Sequence, residues 1–552
     1  MIQADPKQTS LNRHTTVYAA ALVGLTLPLI ALAQWFSGFG FWEPWETTWA
    51  EIAREMSEGG SWWYPTLEGK PVSRPLMPLW LIAAGHWLGS GHEWVMRLPF
   101  AVCTTGTGLA LFAWLRHRFG NARAMLAGLA GVTCPLVFLS GSTLAGNALG
   151  TFMITLCLWS WDSPMTSYRK RNVLFGFCLI GAVLSLGLWG MILPLCIVGL
   201  LSSIEARRPK LNAAAIVAAL ALCAAIIGWG AWQQWNPRAM QLIQLLIPLT
   251  LTGAVLVPGW RQVGPLAIAI AGTGVTLIAG LHVATGDSPL VDPDKIQVVS
   301  FLLDNHLASN GSLPAHVSFD FWVRQLGFFT FPWFALLPMG LYWAASPDYS
   351  RATAGQPVAS RARTLVGAWF VIGGILSLFL GSVHEHYMLI IGPSVGVMAI
   401  LALTDEHLWA HLTARPMLAR MLGFATVLGL LFMGKDLDRY PAELLGALLT
   451  DGKFEAPDSF TLGLPMKALR YGLIVVVGFW FFGGPGLVSR TLHANFGAQL
   501  GRRIIPGVVI AAGAITFMGL STLVWVPKLS NHLSTKGLIE SHVSYATEGE
   551  PL

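Results

Sequence analysis

Apolar residues run along this chain in unbroken stretches of about 17 to 25, separated by short polar links rich in arginine and lysine. Such stretches begin near Val17, Met96, Ala124, Asn147, Val173, Met191, Leu211, Gln241, Gly264, Phe321, Thr364, His386, Pro416, Ala468 and Ile504. At about 1.5 Å per helical residue, each is long enough to cross roughly 30 Å of hydrocarbon. With no water there to take up stray amides, the pattern predicts an all-α polytopic membrane protein of about 13–15 spans. The first stretch, about Val17 to Phe36, is too long for the apolar region of a signal peptide and has no small-residue cleavage site behind it, so it reads as a span.

One short run, Pro75 to Leu88, decides the sidedness of everything after it. Laid in the membrane interface, it leaves Arg116/Arg118/Arg123, Arg169/Lys170/Arg171, Arg207/Arg208/Lys210, Arg361/Arg363 and Arg490/Arg502/Arg503 on the cytoplasmic side. The count is then about 20 basic against 6 acidic residues inside, and about 14 against 22 outside. Sending the run across the membrane reverses that split, so the interfacial placement is the expected one. It puts the amino terminus inside and four polar segments outside: the loops from about Gly38 to Val95, Asp287 to Asp320 and Lys435 to Lys467, and the tail after Val526.

Composition agrees. The chain is 54% hydrophobic and 11% charged, where a soluble domain carries roughly 25% charge. The formal net charge of +6 comes from topological arginines and lysines, which removes nucleic acid as an expected partner. Cys103, Cys134, Cys157, Cys178, Cys196 and Cys223 all fall in apolar runs and read as small core residues. A transporter or lipid flippase would place ionisable groups at mid-membrane between broken helices of two related halves, and no such repeat is visible. No Walker motif, dinucleotide fingerprint, HExxH or nucleophile elbow occurs.

The chemistry concentrates in the first outer loop. In Phe41 to Met56, FWEPWETTWAEIAREM, Trp45, Trp49, Ile52 and Met56 recur at helical spacing, which predicts an amphipathic helix at the membrane surface. Pro44 suits the first helical position and leaves Glu43 near the N-cap, with Glu46 beside it. These acids either cap the helix or do chemistry. Downstream, Lys70 and Arg74 precede a proline-interrupted apolar stretch in SWWYPTLEGKPVSRPLMPLWL, where a cation either snorkels to head groups or binds a lipid phosphate.

The order of Pro-Trp-Glu, AEIAREM, GKPVSRPLMPLWL and MRLPFAV (Met96 to Val102) resembles the aminoarabinose-transferase and protein O-mannosyltransferase group, glycosyltransferases of family 39 with the GT-C fold. FTFPWFALLP (Phe329 to Pro338) and HEHYMLIIGPSVGVM (His384 to Met398) match more loosely, and the likeness runs over roughly residues 15 to 400. It implies a transmembrane module over 1–400 that includes the loop 38–95, further helices over 401–526 with an outer loop 435–467, and a short extracytoplasmic tail, 527–552. It also implies inverting transfer of a sugar from a polyprenyl-phosphate donor to a glycolipid, polysaccharide or protein acceptor outside a bacterial inner membrane. Glu43, with Glu46, would act on the acceptor; Lys70, Arg74 and Arg97 would bind the donor phosphate.

The departures are informative. Glu43 stands where the group has aspartate, Arg74 where it has lysine, Asn147 where it has an acid opening the fourth span, and Trp189-Gly190 where it has a Lys-Gly step. Asn147 can hydrogen-bond but cannot act as a base, which leaves a divergent, non-catalytic member open as the alternative. His384, Glu385 and His386 form a secondary candidate for acceptor binding or a divalent metal, and equally for a polar cap at a span end. The topology has a direct check. A reporter fused near Gly89 is expected to read as extracytoplasmic; a cytoplasmic signal there would invert every loop assignment.

Overall fold

In a computed structural model of the chain, the described residues are 6–43, 45–63, 65–72, 74–89, 91–144, 147–163, 167–205, 319–346, 357–380, 391–441, 460–483 and 501–545. Among them, the structure is helical apart from one hairpin. The amino-terminal half contains α1 (Pro6–Ser37), α2 (Trp45–Ser57), the hairpin strands β1 (Thr66–Leu67) and β2 (Lys70–Pro71), α3 (Leu76–Gly89), α4 (Glu93–Phe119), α5 (Asn121–Val132), α6 (Pro135–Ser140), α7 (Asn147–Asp162), α8 (Tyr168–Leu186) and α9 (Leu188–Glu205). The carboxy-terminal half contains α10 (Phe319–Phe329), a 3-10 turn (Trp333–Leu336), α11 (Leu337–Ala345), α12 (Pro357–Leu380), α13 (Gly392–Leu403), α14 (Glu406–Thr413), α15 (Pro416–Arg439), α16 (Gly463–Gly478), α17 (Gly501–Leu520), α18 (Val526–Leu533) and α19 (Lys536–Tyr545).

Four of these helices are long and apolar enough to cross a membrane singly: Glu93–Phe119, Pro416–Arg439, Gly463–Phe482 and Ile505–Ser530. The protein is an integral membrane protein, and the helices fall where the apolar runs predicted them. The runs expected from Leu211, Gln241 and Gly264 lie outside the described residues. The short run Pro75 to Leu88 forms α3, a 14-residue helix. Cys103, Cys134, Cys157, Cys178 and Cys196 are buried as free thiols.

Two runs read as continuous spans are broken. The run from Ala124 stops at Val132 and restarts as the short α6. The run from Phe321 bends by 112° between Phe329 and Trp333. The two breaks bind each other: Trp333 Nε1 donates to Thr133 Oγ1 at 3.0 Å, and Thr133 Oγ1 donates back to the Leu129 carbonyl at 2.7 Å. Buried in protein, the interrupted backbone keeps its polar groups satisfied, which is the condition for irregular chain at membrane depth. Periodicity could not show this, because every residue from Phe328 to Leu337 except Thr330 and Pro332 is apolar whichever way the chain turns.

Buried polar knots sit near the two ends of α4. Near its start, Arg97 pairs with Glu46. At its end, Asp162 of α7 accepts from Trp114 Nε1 at 2.7 Å and Arg118 Nη2 at 2.6 Å, with Arg361 Nε of α12 at 3.1 Å. From Arg97 to Arg118 the helix rises about 32 Å, close to the thickness of a bilayer core. The charged residues thus stand at the two faces of an apolar slab.

Between those faces the helices approach through small residues, as they must where no hydrophobic drive separates lipid from protein. At Gly396 of α13, an added Cβ would lie 2.3 Å from the Ala130 carbonyl oxygen of α5; at Gly128 it would lie 2.6 Å from the Gly108 carbonyl oxygen of α4. Backbone cannot swing away as a side chain can. Gly396→Ala is expected to lower stability by about 1–3 kcal/mol, read as a lower thermal midpoint in detergent. Gly472→Ala in α16, where nothing lies within 4 Å, is the control and should leave the midpoint in place.

Candidate functional site

The loop between α1 and α4 folds around a small core of its own. Trp49, Ile52, Ala53 and Met56 of α2 pack with Leu79, Ile82 and Ala83 of α3, Met96 and Phe100 of α4, Leu144, and Ala148 at the start of α7. This is the apolar stripe foreseen in the sequence, with α2 beginning at Trp45.

Glu46 is the polar centre of that assembly. It is 0% exposed and Arg97 is 1% exposed. Glu46 Oε1 accepts from Arg97 Nε at 3.0 Å and from the Leu144 amide at 2.8 Å, while Oε2 accepts from the Trp42 amide at 2.9 Å and from Arg97 Nη2. The remaining Arg97 donors reach the Phe39 carbonyl at 3.2 Å and the Gly40 carbonyl at 2.9 Å, and its guanidinium lies over the Phe39 ring at 4.5 Å. Carboxylate and guanidinium therefore spend their hydrogen bonds on each other and on two backbone segments, 39–42 and Leu144. In this arrangement Arg97 faces Glu46 rather than a lipid phosphate.

Glu43 differs in every respect. Its side chain is exposed, three residues before Glu46. Its amide donates to the Leu533 carbonyl at 2.8 Å, and its Oε1 accepts from the Thr535 hydroxyl. Both partners come from the tail, which the sequence reading left without structure.

The two cations also part company. Arg74 lies over the Trp49 ring at 5.4 Å, and burial pushes its guanidinium down from its ordinary range. Trp49 is one helical turn beyond Glu46, about 5 Å along the axis. A desolvated cation gains most from an arriving anion. Lys70 is exposed on β2, in a hairpin whose turn residues Glu68 and Gly69 both have positive φ, +53° and +74°. That geometry is the type I′ turn matched to strand twist. The hairpin is held by Glu55, which accepts from Thr66 Oγ1 at 2.8 Å and the Glu68 amide at 2.8 Å. Lys70 is therefore carried at the carboxy-terminal end of α2, away from Glu43 at the other end.

Asn147 opens α7, half-buried, next to Ala148 of the small core. Gly190 of the Trp189-Gly190 step lies where an added Cβ would meet the Ala182 carbonyl oxygen at 2.1 Å, so packing of α8 on α9 requires glycine there. His384, Glu385 and His386 lie outside the described residues. Among the described residues, no three His, Cys, Asp or Glu side chains cluster as metal ligands would. Sequence reasoning missed Glu55, Leu144, Leu533 and Thr535; only the Glu68-Gly69 turn carried a local signal.

The fold is GT-C, an integral membrane architecture. Over 97% of its length the chain superposes on 82% of ArnT from Cupriavidus metallidurans, with a TM-score of 0.55 at 16% identity. Against the same protein bound to undecaprenyl phosphate the TM-score is 0.52. The family described as dolichyl-phosphate-mannose-protein mannosyltransferase matches residues 73–232, which include Arg74, Arg97 and Asn147. An undecaprenyl phosphate-alpha-4-amino-4-deoxy-L-arabinose arabinosyl transferase of Erwinia tasmaniensis is 26% identical over 234 residues, 42% of this chain and 36% of that protein. Its counterpart in Shewanella sediminis is 32% identical over 165 residues, 28% of this chain and 30% of that protein. The chain thus spans about a third of the length of the curated relatives it matches, and the resemblance read from the first-loop motifs is upheld.

The geometry separates anchoring groups from exposed ones, and stability measurements can tell them apart. Removing one partner of a buried pair strands the other, so Glu46→Ala and Arg97→Ala should each cost about 3–5 kcal/mol. The double variant should cost less than their sum. Lys70→Ala should stay within about 0.5 kcal/mol. Thermal unfolding in detergent decides; an unchanged midpoint for Glu46→Ala would remove the anchor.

Proposed function

We propose that this protein transfers a sugar from a polyprenyl-phosphate donor to an acceptor hydroxyl on the periplasmic face of a bacterial inner membrane, with inversion at the anomeric carbon. The observation that carries the reading is the division of labour between two neighbouring acids. Glu46 is neutralised by Arg97 and buried, while Glu43 is held exposed on backbone that Glu46 and Leu533 fasten from either side. Two further lines support it: the GT-C fold, and the similarity of part of the chain to arabinosyl transferases that use an undecaprenyl-phosphate sugar.

In the proposed step Glu43 takes the acceptor O–H proton as the acceptor oxygen bonds to the anomeric carbon. The bond from that carbon to the phosphate oxygen breaks, and its electron pair leaves on the polyprenyl phosphate. A positioned carboxylate base contributes about 10²–10⁴-fold. Arg74 stabilises the charge growing on the phosphate, where a planar guanidinium offers two parallel hydrogen bonds. Lys70, exposed on its hairpin, meets the head group as the lipid arrives. Glu46 and Arg97 hold the loop. The acceptor is a glycolipid of the lipid A kind, a polysaccharide or a protein, and His384, Glu385 and His386 are the residues that would hold a divalent ion, which would supply positive charge beside the departing phosphate. A non-catalytic GT-C scaffold is the second reading, and it draws on Asn147, which opens α7 with an amide in place of an acid.

Reconstitution in liposomes with labelled undecaprenyl-phosphate sugars tests the proposal. Glu43→Gln is expected to reduce transfer by about 10²-fold or more, and Arg74→Ala to lower kcat more than Arg74→Lys does. Transfer that survives Glu43→Gln intact would remove Glu43 from the chemistry, and no transfer from any donor would favour the scaffold.

A further inference from the structure

The carboxy-terminal segment does more than end the chain. The last membrane helix runs through a π turn (Ser521–Trp525) into α18, and after a two-residue link α19 begins. Across that stretch the segment grips the first outer loop repeatedly. Trp42 Nε1 donates to Ser530 Oγ at 3.0 Å, deep in the protein. The Glu43 amide donates to the Leu533 carbonyl, and Lys536 Nζ pairs with Glu93 at 2.9 Å. At Gly40 the two strands of chain pass so closely that an added Cβ would meet Ser534 Oγ at 2.3 Å.

These contacts suffice to dock the segment. Thr535 makes a different kind of contact. Its carbonyl accepts from the Ile539 amide at 3.0 Å, which places it at the N-cap of α19, where a threonine hydroxyl ordinarily accepts from an amide of the first turn. Here the Lys536 amide is taken by Ser534 Oγ at 3.3 Å, and the Thr535 hydroxyl donates to Glu43 Oε1 across 492 residues of sequence. A cap residue has been turned toward a carboxylate.

We propose that Thr535 is a positioning residue for transfer: by holding Glu43 Oε1 it fixes the rotamer of an otherwise exposed side chain and leaves Oε2 directed at the acceptor hydroxyl. The inference rests on the reading of Glu43 as the base. A glutamate has three side-chain torsions, and a base that wanders among rotamers is seldom in line to take the acceptor proton. The longer side chain makes this restraint more necessary than it would be for aspartate. Misplacement of a reacting group by about 1 Å costs up to about 10²-fold in rate.

The experiment uses the full-length protein in liposomes, with undecaprenyl-phosphate 4-amino-4-deoxy-L-arabinose and undecaprenyl-phosphate mannose as donors and lipid A as acceptor. Thr535→Val, which keeps shape and loses the hydroxyl, is expected to lower kcat about tenfold with donor KM unchanged within about twofold. Thr535→Ser should restore most of the rate. Lys536→Ala, which breaks the neighbouring ion pair and spares the hydroxyl, should leave kcat within about twofold of the parent. A Thr535→Val enzyme with full kcat, a loss that serine does not recover, or an equal loss in Lys536→Ala would each overturn the role of Thr535 while Glu43→Gln still abolishes transfer. If Glu43→Gln is as active as the parent, or the parent transfers from neither donor, the reading of Glu43 falls, and the inference with it.

Discussion

The loop between α1 and α4 depends on one buried ion pair. Glu46 and Arg97 are withdrawn from water, a placement that is costly unless nearly every lone pair and N–H finds a partner. Here they find them in the Trp42 and Leu144 amides and the Phe39 and Gly40 carbonyls. The desolvation of two charges is thereby converted into a fixed geometry, in which the chain leaving α1, the start of α2, the start of α4 and the entrance to α7 cannot move independently. Glu43 inherits that rigidity through its neighbour Trp42.

The same loop is fastened from the far end of the chain. Trp42 stacks near Phe39, and its ring nitrogen reaches Ser530, so the residue that precedes Glu43 and whose amide is held by Glu46 also receives the last membrane helix. Acidic and basic groups that sequence order lists as one site are sorted by this framework into anchors and exposed groups. Arg97 and Glu55 fall among the anchors, the first holding the loop and the second the hairpin that carries Lys70. Arg74 lies over the ring of Trp49, on the second turn of α2.

Within the membrane slab the logic is different. Helices meet through glycine at Gly128 and Gly396, and two are interrupted where Thr133 and Trp333 bind each other. At these breaks stand Thr133, Cys134 and Trp333, all buried and none of them an acid or a base of the Asp, Glu, Lys, Arg or His kind.

Much of the architecture was legible in the sequence because its determinants are local. Lipid demands uninterrupted apolar length, helical hydrogen bonding is satisfied within a segment, and the bias of arginine and lysine sets sidedness, so spans, interfacial helices and the motif-bearing loop follow from order alone. The candidate acids and cations were legible as residue types for the same reason. Their separation into buried Glu46 with Arg97 and exposed Glu43 with Thr535 was not, because burial and pairing join positions 51 and 492 residues apart. No local pattern encodes such a contact: a glutamate beside Trp42 reads the same whether its partner is water, Arg97 or a threonine at the other end of the chain. Only the folded backbone, by bringing those segments within hydrogen-bond reach, decides which acid is buried against Arg97 and which is left exposed.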